Sequence, residues 1–264
     1  MVTSDHGMPF PRVKGQIYDE GFHVAFAAKW GAKIKPGRVV TDYISSPDVA
    51  PTFLEAAGVE KDAQMTGKSF LDILLSEESG RVDTIRSFAV LGKERHDLGR
   101  MEGEQHSVGY PSRAIRTDGY LYVHNFKPHR WPAGDPEYGY MNCDGSPTKT
   151  YLTELAENES DYMYYLSAFG KRPADELYDM EKDPDCVNNL ADLPEYKSLA
   201  EDLYTKMKKV LIGQEDPRIL GNGDIFDYYP HRDDPRLQKL YKDKYYNMWD
   251  KFYEVYGSHS VPHP

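Results

Sequence analysis

Apolar residues recur at helical spacing in two stretches of the chain. Val49, Phe53, Leu54 and Ala57 share one face, which predicts a helix that starts at Ser46-Pro47-Asp48, capped by Ser46 or Asp48, and stops at Gly58. Leu199, Leu203, Met207, Val210 and Leu211 predict a longer amphipathic helix over residues 193–213. Alternation of period two runs through residues 87–91 and 112–125. Thr117-Asp118-Gly119 divides the second run into a hairpin with arms at 113–116 and 120–124. Residues 22–30 are mostly apolar and predict a buried strand, while residues 39–40 and 176–179 predict short ones. A short helix is expected over residues 70–75 and a tyrosine-rich one over residues 150–170. Residues 126–150 read as a long loop, and residues 236–253 as a short helix in a tail rich in Tyr, Asp and Pro. The order predicts an α/β fold over residues 1–80, followed over residues 81–264 by a smaller antiparallel sheet with a packing helix.

Charge narrows the partners. Forty-three acidic and 32 basic side chains give a net charge of −11, which argues against non-specific nucleic-acid binding. Any site for an anion must then be a local basic pocket. No run of about 18 apolar residues is present, so no membrane-spanning helix is expected. Cys143 and Cys186 have no metal-binding spacing; one bridge and two free thiols are both open. The 21 tyrosines, apolar with a polar tip, suit interfaces, sugar-binding surfaces and ordinary cores alike.

The first residues read as the end of a strand that delivers Asp5-His6-Gly7 into a turn, which leads us to expect sequence upstream of Met1. Thr3-Ser4-Asp5-His6-Gly7 resembles the late metal-binding strand end of the type I sulfatases, within the alkaline-phosphatase superfamily. Lys14-Gly15-Gln16-Ile17-Tyr18-Asp19-Glu20-Gly21 resembles the segment that follows it there. Ala50-Pro51-Thr52, Ala57-Gly58, Thr66-Gly67-Lys68-Ser69-Phe70 and Glu176-Leu177-Tyr178-Asp179, continued to Asn189-Leu190-Ala191, resemble later words of that family in the same order. Within it, Ser4-Asp5-His6-Gly7-Met8-Pro9-Phe10-Pro11, Tyr110-Pro111-Ser112-Arg113 and Val123-His124-Asn125-Phe126 are most similar to the heparan N-sulfatase, or sulfamidase, group. The resemblance implies the C-terminal part of an alkaline-phosphatase-like sulfatase fold.

It also implies roles. Asp5 matches a ligand of a divalent cation, expected to be Ca²⁺, and His6 stands where the family usually has Asn. An imidazole offers only nitrogen to a metal, so His6 either ligates or contacts the sulfate or the nucleophile. Lys14 matches a cation on the sulfate, where a fixed charge stabilises the negative charge released on cleavage. The sulfamidase group has Arg at this position, and Lys is a point charge instead of a fork. Arg12 is a second candidate cation.

Arg95 and His96, in the loop Lys93-Glu94-Arg95-His96-Asp97 after a predicted strand, are candidates for a substrate carboxylate or hydroxyl, with His96 also a candidate proton donor. Arg113 and Trp131 are further sugar-binding candidates, as are Arg116, His124, His129 and Arg130. The family's nucleophile is formylglycine, made from Cys or Ser with Pro two and Arg four positions on. Neither Cys143 nor Cys186 has that context, and in Gly109-Tyr110-Pro111-Ser112-Arg113 the first residue is Gly.

The expectation is part of a hydrolase of sulfate esters or sulfamates on glycosaminoglycan-like saccharides, inactive by itself. Its setting would be periplasmic, secreted or lysosomal, and its uncovered sheet would promote self-association. A phosphoesterase or phosphonate hydrolase of the same superfamily, or a non-catalytic carbohydrate-binding module, are the alternatives.

Overall fold

The structure, a computed structural model, describes residues 1–96, 99–102, 105, 106, 108–158 and 160–229. Strand β1 (Val2–Thr3) leads into the turn that carries Asp5 and His6, and a loop then reaches the single-turn helix α1 (Asp19–Phe22). Strand β2 (Phe26–Ala27) pairs antiparallel with β1 over two residues. A 3₁₀ turn, Ser46–Asp48, opens helix α2 (Val49–Ala56), and helix α3 (Leu71–Leu75) follows. Next come β3 (Phe88–Lys93), the small pair β4 (Met101–Glu102) and β5 (Gln105–His106), and the hairpin β6 (Ser112–Thr117) and β7 (Tyr120–Asn125). Helices α4 (Pro147–Glu154) and α5 (Tyr162–Phe169), strand β8 (Asp175–Asp179) and helix α6 (Lys197–Gly213) complete the described chain.

The centre is a four-stranded antiparallel sheet in the order β3-β6-β7-β8. One row across it is Leu91, Ala114, Val123 and Glu176. Because side chains alternate along a strand, both faces carry apolar residues here, and both are covered. Ile115, Tyr122 and Leu177 meet Ala200, Leu203, Met207 and Leu211 of α6. Ala114, Leu121, Val123 and Tyr178 on the other face meet Ile17, Tyr18, Met180 and Cys186. The segment that follows Lys14 is therefore packed on the back of the sheet. A third cluster holds Tyr140, Tyr165, Phe169 and Leu155 under α4 and α5.

Asp48 organises the residues before β3. Its carboxylate accepts from the Ser45 and Lys68 amides at 3.1 and 2.8 Å and pairs with Arg86 at 2.9 Å. Ser45 caps the 3₁₀ turn, where Asp48 reaches back to the Ser45 amide and Pro47 sits where no amide is needed, while Asp48 holds the N-cap position of α2, as the sequence leads one to expect.

The sheet, hairpin and long helix follow the apolar pattern, and the mixed helical and antiparallel architecture fits the expected class. Three expectations need correction. Residues 22–30 form no buried strand: only Phe26–Ala27 pairs, along one edge, and both residues are exposed. Residues 39–40 make a single bridge from Val40 to Gly80. The helix over residues 150–170 breaks at 158–161, where Asn158 Oδ1 accepts from the Ser160 amide at 3.1 Å and competes with the helical ladder. The helix expected at 236–253 lies outside the described residues.

Both cysteines are buried free thiols. Burial raises both, that of Cys186 to about 12, so neither is expected to react with a disulfide reagent in the native protein at pH 8. Fast release of one thiol equivalent in a spectrophotometric titration of the folded chain would contradict this. Leu177 is fully buried between the sheet and α6, so Leu177→Ala should cost about 2–5 kcal/mol in urea unfolding.

Candidate functional site

The site grows from two tight turns. Gly7 lies against the Glu20 carbonyl, where an added Cβ would come within 1.8 Å of the oxygen, and its amide donates to the Gly21 carbonyl at 3.2 Å. This holds Asp5 and His6 against the start of α1. Gly15 has φ +70°, a conformation other residues resist, and its face is filled by the His96 ring: a Cβ would lie 2.7 Å from Cδ2. His96, in the loop after β3, is thereby set beside Lys14.

Lys14 is mostly buried, with 20% of its side chain exposed, and donates to both carboxylate oxygens of Asp144 at 2.9 and 3.1 Å. The hydrogen bond and charge of Lys14 hold the Asp144 carboxyl below its ordinary range, with smaller contributions from His6 and His96. Four groups of the site, Lys14, His6, His96 and Asp144, thus act on one another. His6 Nε2 lies 3.5 Å from Asp5, and its Nδ1 is 2.5 Å from the Gly7 carbonyl. The Asp5 carboxylate is 86% exposed. One ammonium, two imidazoles and an open carboxylate thus lie along the turns around Lys14. The arrangement can bind an oxyanion at Lys14 once Asp144 yields, and offer a hard oxygen ligand at Asp5.

The remaining candidates are engaged elsewhere. Arg12 donates to the Ser167 carbonyl at 3.1 Å and to the Cys186 carbonyl, and its guanidinium lies 4.0 Å over the Tyr18 ring. Arg113 is 4% exposed and held between Glu94 and Asp216, both at 2.8 Å, beside a cleft of about 320 Å³ on the α6 side of the sheet. Arg95 donates to the Tyr229 carbonyl at 2.6 Å. Asp97 lies outside the described residues. The Trp131 indole packs edge-on against Tyr140, with Lys171 5.1 Å over its ring. Arg116 binds Asp19, His124 binds Asp175, His129 binds Glu102, and the buried Arg130 binds Asp227.

Asp144 is the site residue the sequence did not reveal. It stands 130 positions from Lys14 in a loop with no periodic pattern, and its identity as a partner is a product of the fold alone. Among the described residues, no group of three or more His, Cys, Asp or Glu side chains could hold a metal ion. Asp5 fits a hard cation such as Ca²⁺, but Asp5 and His6 supply two donors where Ca²⁺ takes about 6–8 oxygens.

Residues 10–90 match the family described as N-sulphoglucosamine sulphohydrolase, C-terminal. An ulvan-active sulfatase of Formosa agariphila is 31% identical over 216 residues, which covers 82% of this chain and 38% of that protein. The human N-sulphoglucosamine sulphohydrolase is 24% identical over 255 residues, 92% of this chain and 46% of that one. The chain therefore spans less than half the length of these relatives. The crystal structure of a putative sulfatase from Bacteroides fragilis shares the fold with a TM-score of 0.51 at 19% identity, covering 83% of this chain and 36% of that one.

Asp144 gives a pH prediction. Its folded pKa is depressed, so its pairing stabilises the protein above the unfolded carboxyl value of about 3.9 and is lost as pH falls through the lower folded value. Lys14→Met should raise the Asp144 midpoint toward that ordinary value, read by carboxyl-carbon NMR. An unmoved midpoint would mean the pair does not persist in solution. Gly15→Ala should destabilise by about 1–2 kcal/mol from backbone strain and shift the His96 ring resonances.

Proposed function

Because the chain belongs to the sulfatase family, we propose that it serves as the C-terminal part of an enzyme hydrolysing sulfate esters or sulfamates on glycosaminoglycan-like saccharides. The observation that carries this reading is the Lys14 ammonium, set beside His6, His96 and an exposed Asp5 carboxylate and held meanwhile by Asp144.

In this reading a sulfate oxygen replaces the Asp144 carboxylate on Lys14. The exchange suits the site because Asp144 is half exposed and returns to water at little cost. The fixed ammonium then stabilises charge on sulfate and leaving oxygen as the bond breaks. His96, whose ring packs on Gly15 beside Lys14, is the proton donor to the leaving oxygen, and His6 contacts the sulfate. Asp5 and His6 are the residues that would hold Ca²⁺, which would polarise the sulfate oxygens when bound. The charges and rings of Arg12, Arg95, Arg113 and Trp131 are engaged in contacts of the fold, and this reading gives them no direct role on the sulfate.

The nucleophile is expected from a formylglycine segment that neither cysteine of this chain supplies. We place the protein in the periplasm, in the secreted fraction or in the lysosome, as for sulfatases generally. No described helix is long and apolar enough to cross a membrane. Val2, Phe26, Val39, Phe53 and Ile85 are exposed on residues 1–86, and self-association through them is part of the proposal.

Three measurements test this. The chain by itself should show no turnover of a sulfated chromogenic ester and bind Ca²⁺ too weakly for a chelator to shift its melting temperature. Joined to a segment bearing the nucleophile, it should cleave a sulfated disaccharide, and Lys14→Met should lower kcat about 10²–10³-fold. Preferential cleavage of a phosphate ester by that assembly would favour the phosphoesterase alternative. Sedimentation velocity should detect concentration-dependent association; a single monomer species throughout would remove that part of the reading.

A further inference from the structure

Next to the Lys14 site, donors outnumber acceptors in a second cluster. The carbonyl of Pro132 receives four side-chain nitrogens: Arg100 Nη2 at 2.7 Å, Lys93 Nζ and Gln16 Nε2 each at 3.2 Å, and Asn142 Nδ2 at 3.4 Å. A carbonyl oxygen has two lone pairs, so four donors cannot all be well served. Lys93 Nζ also reaches the Gln16 amide oxygen at 3.4 Å, and no carboxylate is within ion-pair distance of it among the described residues. Tyr110 is 2% exposed, with its hydroxyl buried and lacking a hydrogen-bond partner among the described residues. Its ring faces Lys93 Nζ at 5.4 Å and the Arg100 guanidinium at 5.9 Å. Arg100 is 0% exposed and Asn142 1%.

A buried ammonium without a carboxylate partner, as at Lys93, is costly, and the usual resolution is an anion or loss of the proton. Burial, with Arg100 and Arg172 adding repulsion, presses the Lys93 ammonium well below its ordinary value. The donors are five: an ammonium, a guanidinium, two amides and a phenol. A carboxylate offers two oxygens to such a set, whereas a tetrahedral oxyanion presents acceptors in several directions.

We propose that Lys93, Arg100 and Tyr110, with Gln16 and Asn142, form a second oxyanion site that takes a sulfate group. It flanks the first: Gln16 is two residues past Lys14 on the same turn, and His96 is three past Lys93. The sulfate has two sources, the free ion and the sulfo group of a saccharide. The second of these rests on the sulfatase reading, because it makes the cluster a subsite for a multiply sulfated sugar.

The test is the melting temperature of the full chain in a sodium sulfate titration, with sodium chloride at matched ionic strength as the reference. Sulfate also stabilises proteins in general by exclusion from their surface, so the variants carry the comparison. Lys93→Met replaces the ammonium by an apolar group of similar shape and should melt no lower than the wild type without sulfate. Because Lys14 is itself an anion site in the sulfatase reading, the comparison is made in its absence: the sulfate-specific rise should remain in Lys14→Met, be smaller in Lys93→Met than in the wild type, and be absent in Lys14→Met/Lys93→Met. If Lys93→Met does not fold, Tyr110→Phe should raise the half-saturating sulfate concentration several-fold. An equal rise in the wild type and in the folded cluster variant overturns the site, as does a wild type that responds to sulfate and chloride alike. In parallel, a disulfated glucosamine should stabilise the wild type where glucosamine does not; a response to inorganic sulfate alone overturns the saccharide source while keeping the anion site. Because the readout is binding, failure of turnover in the assembled enzyme would speak to Lys14 and leave this result standing.

Discussion

Glu176, 2% exposed on β8, accepts hydrogen bonds from the Tyr18 and Tyr178 phenols at 2.8 and 2.6 Å and from the Asn125 amide at 2.7 Å. A carboxylate this deep is tolerable only with its oxygens fully engaged, and each partner comes from a different place in the chain. Tyr18 belongs to the turn that carries Lys14, Asn125 ends β7, and Tyr178 shares β8. Burial, followed by the Glu176 charge, keeps the Tyr18 phenol protonated far above its usual range, so it remains a donor at any physiological pH. The position of Lys14 thus depends on a buried acid it does not touch. Ile17 and Tyr18 in the apolar cluster on the same face of the sheet reinforce the attachment.

The parts of this protein that could be read from its sequence are those decided locally. The β6–β7 hairpin and α6 follow from period and turn chemistry, and each appears close to its expected bounds. Asp5, His6 and Lys14 were visible because they sit within one short stretch of motif words. Arg12 and Arg113 have the same charge as Lys14, and their different placement is a matter of distant partners: carbonyls at 167 and 186 for one, Glu94 and Asp216 for the other. Asp144 was hidden for the same reason. The apolar run at 22–30 misled because composition signals burial only where a covering layer exists, and here β2 has one short partner.

Within a protein of net −11, positive charge is distributed unevenly. Most arginines in the described chain are neutralised in place: Arg86 by Asp48, Arg116 by Asp19, Arg218 by Glu94 and Asp224, Arg130 by Asp227. Around Lys14 the counter-ion is a half-exposed aspartate that water can take back. Lys14 and Lys93 thus stand apart from the fully paired arginines inside a chain of acidic net charge.

The central sheet also sets an order of events for the chain as it folds. β6 and β7 are joined by two residues, Asp118 and Gly119, so their pairing closes almost no loop, whereas Tyr18 must find Glu176 across 158 positions. The hairpin is accordingly the natural early structure, and the strand ends at β8 and the α6 face can add to it before the amino-terminal turns arrive. Amide exchange would register this as a hierarchy: slow hydrogens along β6 and β7, faster ones near Gly7 and Gly15. The turns that carry Asp5, His6 and Lys14 are then the last to be installed and the first to loosen.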